Sequence, residues 1–132
     1  MTKKFTLGKN ERIKSRKLIS QLFEQGRNFQ AHPFKIYYRL TTEKSSTTQG
    51  SVQFAISVPS KNFKKAVDRN RIKRLAREAY RLQKTALVEK ATEEGISVYI
   101  FFVYIDKELP DFNVIKTKVG VALKKVLQFF QP

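Results

Sequence analysis

The sequence predicts a single α+β domain in which a mixed β-sheet is flanked by three helices. Three observations lead there: two short segments alternate apolar and polar residues with period two, one ten-residue run is almost unbroken in apolar character, and three segments repeat apolar residues at helical spacing. At 132 residues, 41% of them hydrophobic, the chain suits one compact unit spanning 1–132. Eleven Phe and five Tyr can fill a sizeable core. With no cysteine, that core must hold the fold without disulfides or thiolate metal sites, and a cysteine nucleophile is excluded.

The first helix is expected over residues 14–25, where Leu18, Ile19, Leu22 and Phe23 recur at helical spacing and Gly26 supplies a stop. Lys14, Arg16 and Lys17 make its N-terminal end basic. Phe29 and its neighbours suggest a short extra strand. Residues 33–42 alternate, with Phe34, Ile36, Tyr38 and Leu40 on one face and Lys35, Tyr37 and Arg39 on the other. Residues 52–58 repeat the pattern, with Val52, Phe54, Ile56 and Val58 opposite Gln53, Ala55 and Ser57. The polar stretch 41–51 between them reads as a loop.

A basic helix follows. Wound at 100° per residue, Ile72, Leu75, Ala76, Ala79 and Leu82 fall on one side, and Lys73, Arg74, Arg77, Arg81 and Lys84 on the other. Residues 89–95 are acidic and turn-like. The run from Ile96 to Ile105 has the character of a strand buried on both faces and central in its sheet. After Pro110 and Asp111, a closing amphipathic helix carries Phe112, Ile115, Val119, Ala122, Leu123, Val126, Leu127 and Phe130.

The formal charge of +16 and pI near 10.3 point to a polyanionic partner, nucleic acid or an anionic membrane surface. Nucleic acid is favoured because the charge is placed. Residues 61–84 hold ten Lys or Arg against Asp68 and Glu78, a net +8; residues 1–30 carry +6, and the remainder only +2. A merely solvated helix face would alternate signs and form i,i+4 pairs. No run approaches the roughly 18 apolar residues of a spanning helix, and the N-terminal stretch lacks the apolar core of a secretory signal. A cytoplasmic protein with no membrane partner is therefore expected.

Enzyme constellations are scarce. The sequence contains no HExxH, no GxxxxGK and no GxSxG. The single histidine, His32, precedes Pro33 and reads as a turn residue, since acid–base catalysis needs a partner poised beside it. Glu89, Glu93 and Glu94, and Asp106, Glu108 and Asp111, lie in turn-like stretches where solvation is the simpler reading than metal ligation. The sheet face bearing Lys35, Tyr37, Arg39 and Ser57 has two readings. One is an ordinary half-solvated surface; the other is a trough in which cations hold a phosphate backbone while Tyr37 and Phe23 offer rings to unpaired bases.

Arg69-Asn70-Arg71, followed by Ile72-Lys73-Arg74-Leu75 and Arg77-Glu78, closely resembles the RNR signature of the bacterial ribonuclease P protein component. The similarity continues in the Arg12-Ile13 start, in Leu22-Phe23 and Gly26, in Phe34 and Tyr37, in Ser57-Val58, and in the loop Lys61-Asn62-Phe63-Lys64-Lys65. The resemblance implies an αβββαβα fold with a four-stranded sheet and a left-handed crossover around the basic helix, a topology shared with the second domain of a small-subunit ribosomal protein. It also implies a protein that binds a catalytic RNA and the 5′ leader of precursor tRNA, with hydrolysis carried out by the RNA subunit and its bound Mg²⁺, which agrees with the absence of a catalytic constellation here; no catalytic or metal-ligating residue is assigned to the polypeptide. Free protein of this kind is expected to be monomeric.

Carried across, Lys61, Lys64, Lys65, Arg69, Asn70, Arg71, Lys73, Arg74 and Arg77 would face the catalytic RNA, and Arg81 joins them from the same basic side of the helix. Ile19, Phe23, Phe34, Tyr37 and Ser57 would form the leader-binding cleft, joined by Lys35 and Arg39 from the same sheet face. Two positions depart from the family pattern: Ile19 stands where an aromatic residue is common, and Ala55 where glycine is common. The alternative reading is a structural RNA-binding protein, a ribosomal protein or RNA chaperone, with no nuclease role; charge fits it equally well, and only the RNR block and the order of elements discriminate. A self-sufficient nuclease is the least supported, given the absent catalytic groups.

Overall fold

The computed structural model describes residues 13, 16–41 and 52–130. Its elements run α1 (Arg16–Gln25), β1 (Arg27–Ala31), β2 (Phe34–Thr41), β3 (Val52–Ser57), α2 (Ala66–Gln83), α3 (Thr85–Glu94), β4 (Ser97–Tyr104) and α4 (Phe112–Gln128). The expected loop, apart from Thr41, and the basic residue Lys14 lie outside the described residues.

The four strands form one mixed sheet in the order β1-β2-β4-β3, antiparallel except for the β3/β4 pair. The apolar run 96–105 is central, as its composition predicted, and the short strand around Phe29 exists as the β1 edge. Alternation then gives the sheet two faces. Phe34, Ile36 and Tyr38 of β2, Val52, Phe54 and Ile56 of β3, and Val98, Ile100, Phe102 and Tyr104 of β4 face a layer made by α2, α3 and α4. That layer closes the main core with Ile72, Ala76, Ala79, Tyr80, Leu87, Ile115, Val119 and Val126, all buried. The other face meets α1, where Leu22 packs with Ile13 and Phe101 in a second, smaller core. Ile13 is also tied to the sheet by its N–H, which donates to the Phe54 carbonyl at 3.2 Å.

Among the described residues four helices surround the sheet rather than three. The segment read as an acidic turn is the end of α3, whose fully buried residues are Leu87 and Ala91 with Val88 partly buried beside them, too sparse an apolar stripe to stand out among Glu89, Glu93 and Glu94. Gly95 follows it at φ 67°, a left-handed position that glycine takes without steric penalty, and the N–H groups of Gly95 and Ile96 close the helix on the carbonyls of Thr92 and Ala91.

The break between α2 and α3 falls at Lys84, which is buried rather than on the outward basic face. Leu82 is likewise displaced from the expected core side and stands exposed. Tyr80 takes the core position instead, its ring parallel to Phe54 with centroids 4.3 Å apart. At the end of α1, Gly26 is needed for space rather than for dihedral freedom: a Cβ there would meet the Leu22 carbonyl at 2.5 Å and the Tyr38 carbonyl at 3.1 Å.

At one corner of the sheet the Tyr104 hydroxyl donates to the Glu108 carbonyl at 2.7 Å. Burial, aided by the charges of Asp106 and Glu108, pushes the Tyr104 hydroxyl up from 10.0 to about 12. The folded protein thus holds a proton that the unfolded chain releases, so this contribution to stability is complete below pH 10 and is lost as pH rises towards 12. Urea unfolding should show stability falling across that window, and replacing Tyr104 with Phe should flatten the fall.

Candidate RNA-binding surfaces

The first surface is the outer side of α2 with the loop before it. Lys61, Lys64, Lys65, Asn70, Arg71 and Arg74 are exposed, while Lys73, Arg77 and Arg81 are half-buried along the flanks. Ile72, Ala76, Ala79 and Tyr80 fix the helix on the core, so the remaining positions project away from it. The positive end of the helix dipole lies beside Lys64 and Lys65, adding about half a charge to the same region.

The arginines are not equivalent. Arg69 turns back along the chain, its Nη1 donating to the carbonyls of Phe63 at 2.7 Å and Lys64 at 3.0 Å, so it holds the loop that presents Lys61, Lys64 and Lys65. Arg81 is engaged by Glu78, to which its Nε donates at 3.2 Å, and is therefore locally neutralised. Asn70, Arg71 and Arg74 stand exposed on the helix itself.

The second surface is the opposite face of the sheet. Strand register builds it as three rungs: Lys35, Val103 and Ser57; Tyr37, Phe101 and Ala55; Arg39, Tyr99 and Gln53. From Lys35 to Arg39 it runs about 13 Å at roughly 3.3 Å per residue. Helix α1 lies over the middle rung, where Phe23 meets Tyr37 edge-on with centroids 4.5 Å apart and Phe101 at 5.2 Å. Phe23 remains 44% exposed, so the rings present one composite aromatic surface rather than two separate platforms. The Lys35 ammonium stands 5.4 Å from the centre of the Tyr37 ring, placing a cation beside it. Ile19 and Ala55 pack at the edge of the small core beneath α1.

Phe34 does not belong to this trough. It is fully buried on the other face, edge-on to Phe102 and Tyr104, because its position in the β2 alternation is opposite to that of Tyr37. Its place in a cleft came from the resemblance, and the pleat overrules it. Conversely, Tyr99, Phe101 and Val103 line the trough and were hidden in the sequence by the nearly continuous apolar run of β4. The tyrosine at 99 was the available signal.

The two surfaces sit on opposite layers, with the sheet between them. The chain joins them at the end of β3, where Ser57 leads through residues 58–60 into the loop held by Arg69.

Elsewhere, His32 does have a carboxylate neighbour, its Nε2 lying 3.3 Å from Asp106 Oδ2. The Lys107 backbone N–H, donating to Asp106 Oδ1 at 2.7 Å, is the main cause holding the Asp106 carboxyl below its ordinary range. Asp106, Glu108 and Asp111 surround this corner, and their negative charge opposes the approach of a phosphodiester. Among the described residues no group of three or more His, Cys, Asp or Glu is placed to hold a metal ion. Nor is any helix among them long and apolar enough to cross a membrane.

Comparison with known proteins agrees with this architecture. The chain matches the sequence model of the family described as Ribonuclease P over residues 7–127. It is 37% identical to the ribonuclease P protein component of Porphyromonas gingivalis over 122 residues, covering 92% of this chain and 87% of that one. It is 33% identical to the ribonuclease P protein component of Chlorobium phaeobacteroides over 128 residues, covering 92% and 88%.

Among solved structures, a Staphylococcus aureus RNase P protein mutant superposes with a TM-score of 0.64 at 20% identity, covering 90% of each chain. The RNase P protein of Thermotoga maritima gives 0.61 at 23%, covering 87% of this chain and 96% of that one. These two likenesses support the fold, and the sequence relatives do not favour a ribosomal protein or RNA chaperone. The chain belongs to the ribonuclease P protein family, as a subunit of that ribonucleoprotein endoribonuclease with a role in tRNA processing.

Proposed function

We propose that this subunit uses its two surfaces for two RNAs: the α2 face and its preceding loop dock on the catalytic RNA, and the trough under α1 holds the 5′ leader of precursor tRNA. The observation that carries the reading is the separation of a dense cation array from an aromatic trough by the thickness of the sheet. A catalytic RNA and its substrate repel at close range. A protein presenting positive charge to both lowers that cost and releases counterions from each.

The residues assigned to the catalytic RNA are those of α2 and its loop, with Lys61, Lys64, Lys65, Asn70, Arg71 and Arg74 exposed, Arg69 positioning the loop, and Arg81 weakened by Glu78. Those assigned to the leader are Ile19, Phe23, Lys35, Tyr37, Arg39 and Ser57, joined by Tyr99 and Gln53. Hydrolysis of the phosphodiester is assigned to the RNA subunit and its Mg²⁺. The free protein acts as a cytoplasmic monomer.

Cleavage of precursor tRNA by the cognate RNA at low Mg²⁺, with and without the protein, tests the reading. Marked stimulation is expected, and an unchanged rate would remove it. Replacing Tyr37 with Ala is expected to weaken binding of leader-bearing substrate by about 1–3 kcal/mol, the value of one stacked base, and to leave mature tRNA unaffected. Equal losses for the two ligands would take Tyr37 out of the trough.

A further inference from the structure

Arg39, at the end of the trough, also lines a cavity of about 470 Å³ formed where α1 ends, β1 begins and α4 ends. The side chains that give it chemistry are Gln25, Arg27, Tyr38, Arg39, Gln128 and Phe129. Among the described residues no carboxylate lines it, and neither Arg27 nor Arg39 forms an ion pair. The Phe129 ring lies parallel to Tyr38, with centroids 4.7 Å apart and planes 3° from one another, and is still 39% exposed. The cavity therefore combines two guanidiniums that no carboxylate among the described residues compensates, an exposed member of an aromatic stack, and two carboxamides that can each donate and accept.

Two opposing effects set its charge. The carbonyl ends of α1 and α4 each contribute roughly half a negative charge, whereas the guanidiniums contribute two full positive charges, so an anion is favoured. The volume lies in the lower part of the roughly 300–1,000 Å³ range of small-ligand sites, which suits one nucleotide and excludes a duplex. Arg39 is shared with the third rung of the trough, so a strand lying along β2 from Lys35 reaches the cavity without leaving positive surface.

We propose that this cavity is a nucleotide subsite at the end of the trough. It takes one unpaired nucleotide of the strand, with the base extending the Tyr38–Phe129 stack, the phosphate between Arg27 and Arg39, and the base edge met by Gln25 and Gln128. The inference rests on the trough reading of the proposed function, and it adds a site, a set of binding residues and a defined leader length to it.

The test uses the protein assembled with its cognate catalytic RNA and a series of precursor tRNAs whose leaders lengthen one nucleotide at a time. Affinity should rise by about tenfold at the length that first reaches the cavity, as one stacked base would give. In Arg27→Gln, an exposed position outside the trough rungs, that step should disappear while shorter leaders bind as before. The chain contains no tryptophan, so Phe129→Trp supplies a single indole that can be excited apart from the tyrosines, and its emission should be quenched by base stacking at that same leader length.

A step of full height in Arg27→Gln, or Trp fluorescence indifferent to every leader, overturns the subsite. Tyr37→Ala in the same series separates the two claims. A loss with Tyr37→Ala but no step overturns the subsite alone, and no loss at any length overturns the trough reading and the subsite with it.

Discussion

Charge reversal of Arg71 and Arg74 together, Arg71→Glu with Arg74→Glu, is expected to reduce affinity for the catalytic RNA by about 100-fold near physiological salt. Both side chains are exposed on the outer side of α2 and contribute nothing to its buried face, so the fold should survive the change. Each phosphate that the protein no longer neutralises takes about 0.7–0.9 off the slope of log affinity against log salt, so two such phosphates should flatten the slope by roughly 1.4–1.8. The introduced carboxylates add repulsion to that effect.

Binding measured across a salt series reads both quantities, and an unchanged slope would show that these arginines meet no phosphate. The same measurement grades the helix: Arg81→Ala should cost less, since Glu78 already neutralises that side chain. Arg69→Ala should act indirectly, by releasing the loop that carries Lys61, Lys64 and Lys65.

Replacing Phe102 with Ala is expected to bring the domain close to unfolding. Phe102 is fully buried at the centre of the sheet, with Phe34 and Phe54 at ring-centroid distances of 5.2 and 5.3 Å. Truncating such a ring removes about 3–5 kcal/mol through the forfeited transfer energy and the cavity left behind. A domain of this kind has about 5–15 kcal/mol in total. The repulsion within a chain of net charge +16 narrows the margin further. A thermal melt should show Tm lower by about 10–25 °C.

Saturating RNA should recover part of the stability, because a ligand that binds only the folded state stabilises it by mass action. That recovery distinguishes Phe102→Ala from the α2 reversal, in which the fold is intact and the binding surface is not. A melt unchanged from that of the parent protein would mean that Phe102 does not carry the core.

The parts of this protein that follow a simple period are legible in the chain. Period-two alternation defines both faces of β2 and β3, and by itself it sets Tyr37 opposite Phe34. Helical spacing marks the buried side of α4, and the excess of ten basic over two acidic residues marks the outer side of α2. Legibility fails where periodicity is weak or context intervenes. Helix α3 fully buries only Leu87 and Ala91, so its stripe is hidden among acids. Lys84 lies at a helix junction, where burial follows from the bend in the chain rather than from its angle on α2. Leu82 and Tyr80 exchange roles because the buried stripe of α2 runs through Ile72, Ala76, Ala79 and Tyr80, at i, i+4, i+7 and i+8, rather than through Leu75 and Leu82, and it sets Tyr80 against Phe54.

The sequence by itself determined a cysteine-free α+β domain, the strands that build its sheet, a helix with one cationic side, and the RNR block that aligns it with its relatives. All of these are local or additive properties, carried by side chains a few residues apart. Only the tertiary structure decided that the cationic helix and the aromatic trough lie on opposite sides of one sheet, and that Arg27, Arg39 and Phe129 meet around one cavity. Those relations join residues up to about a hundred positions apart, and they come from strand order and helix packing, in which distant surfaces are buried together to exclude water.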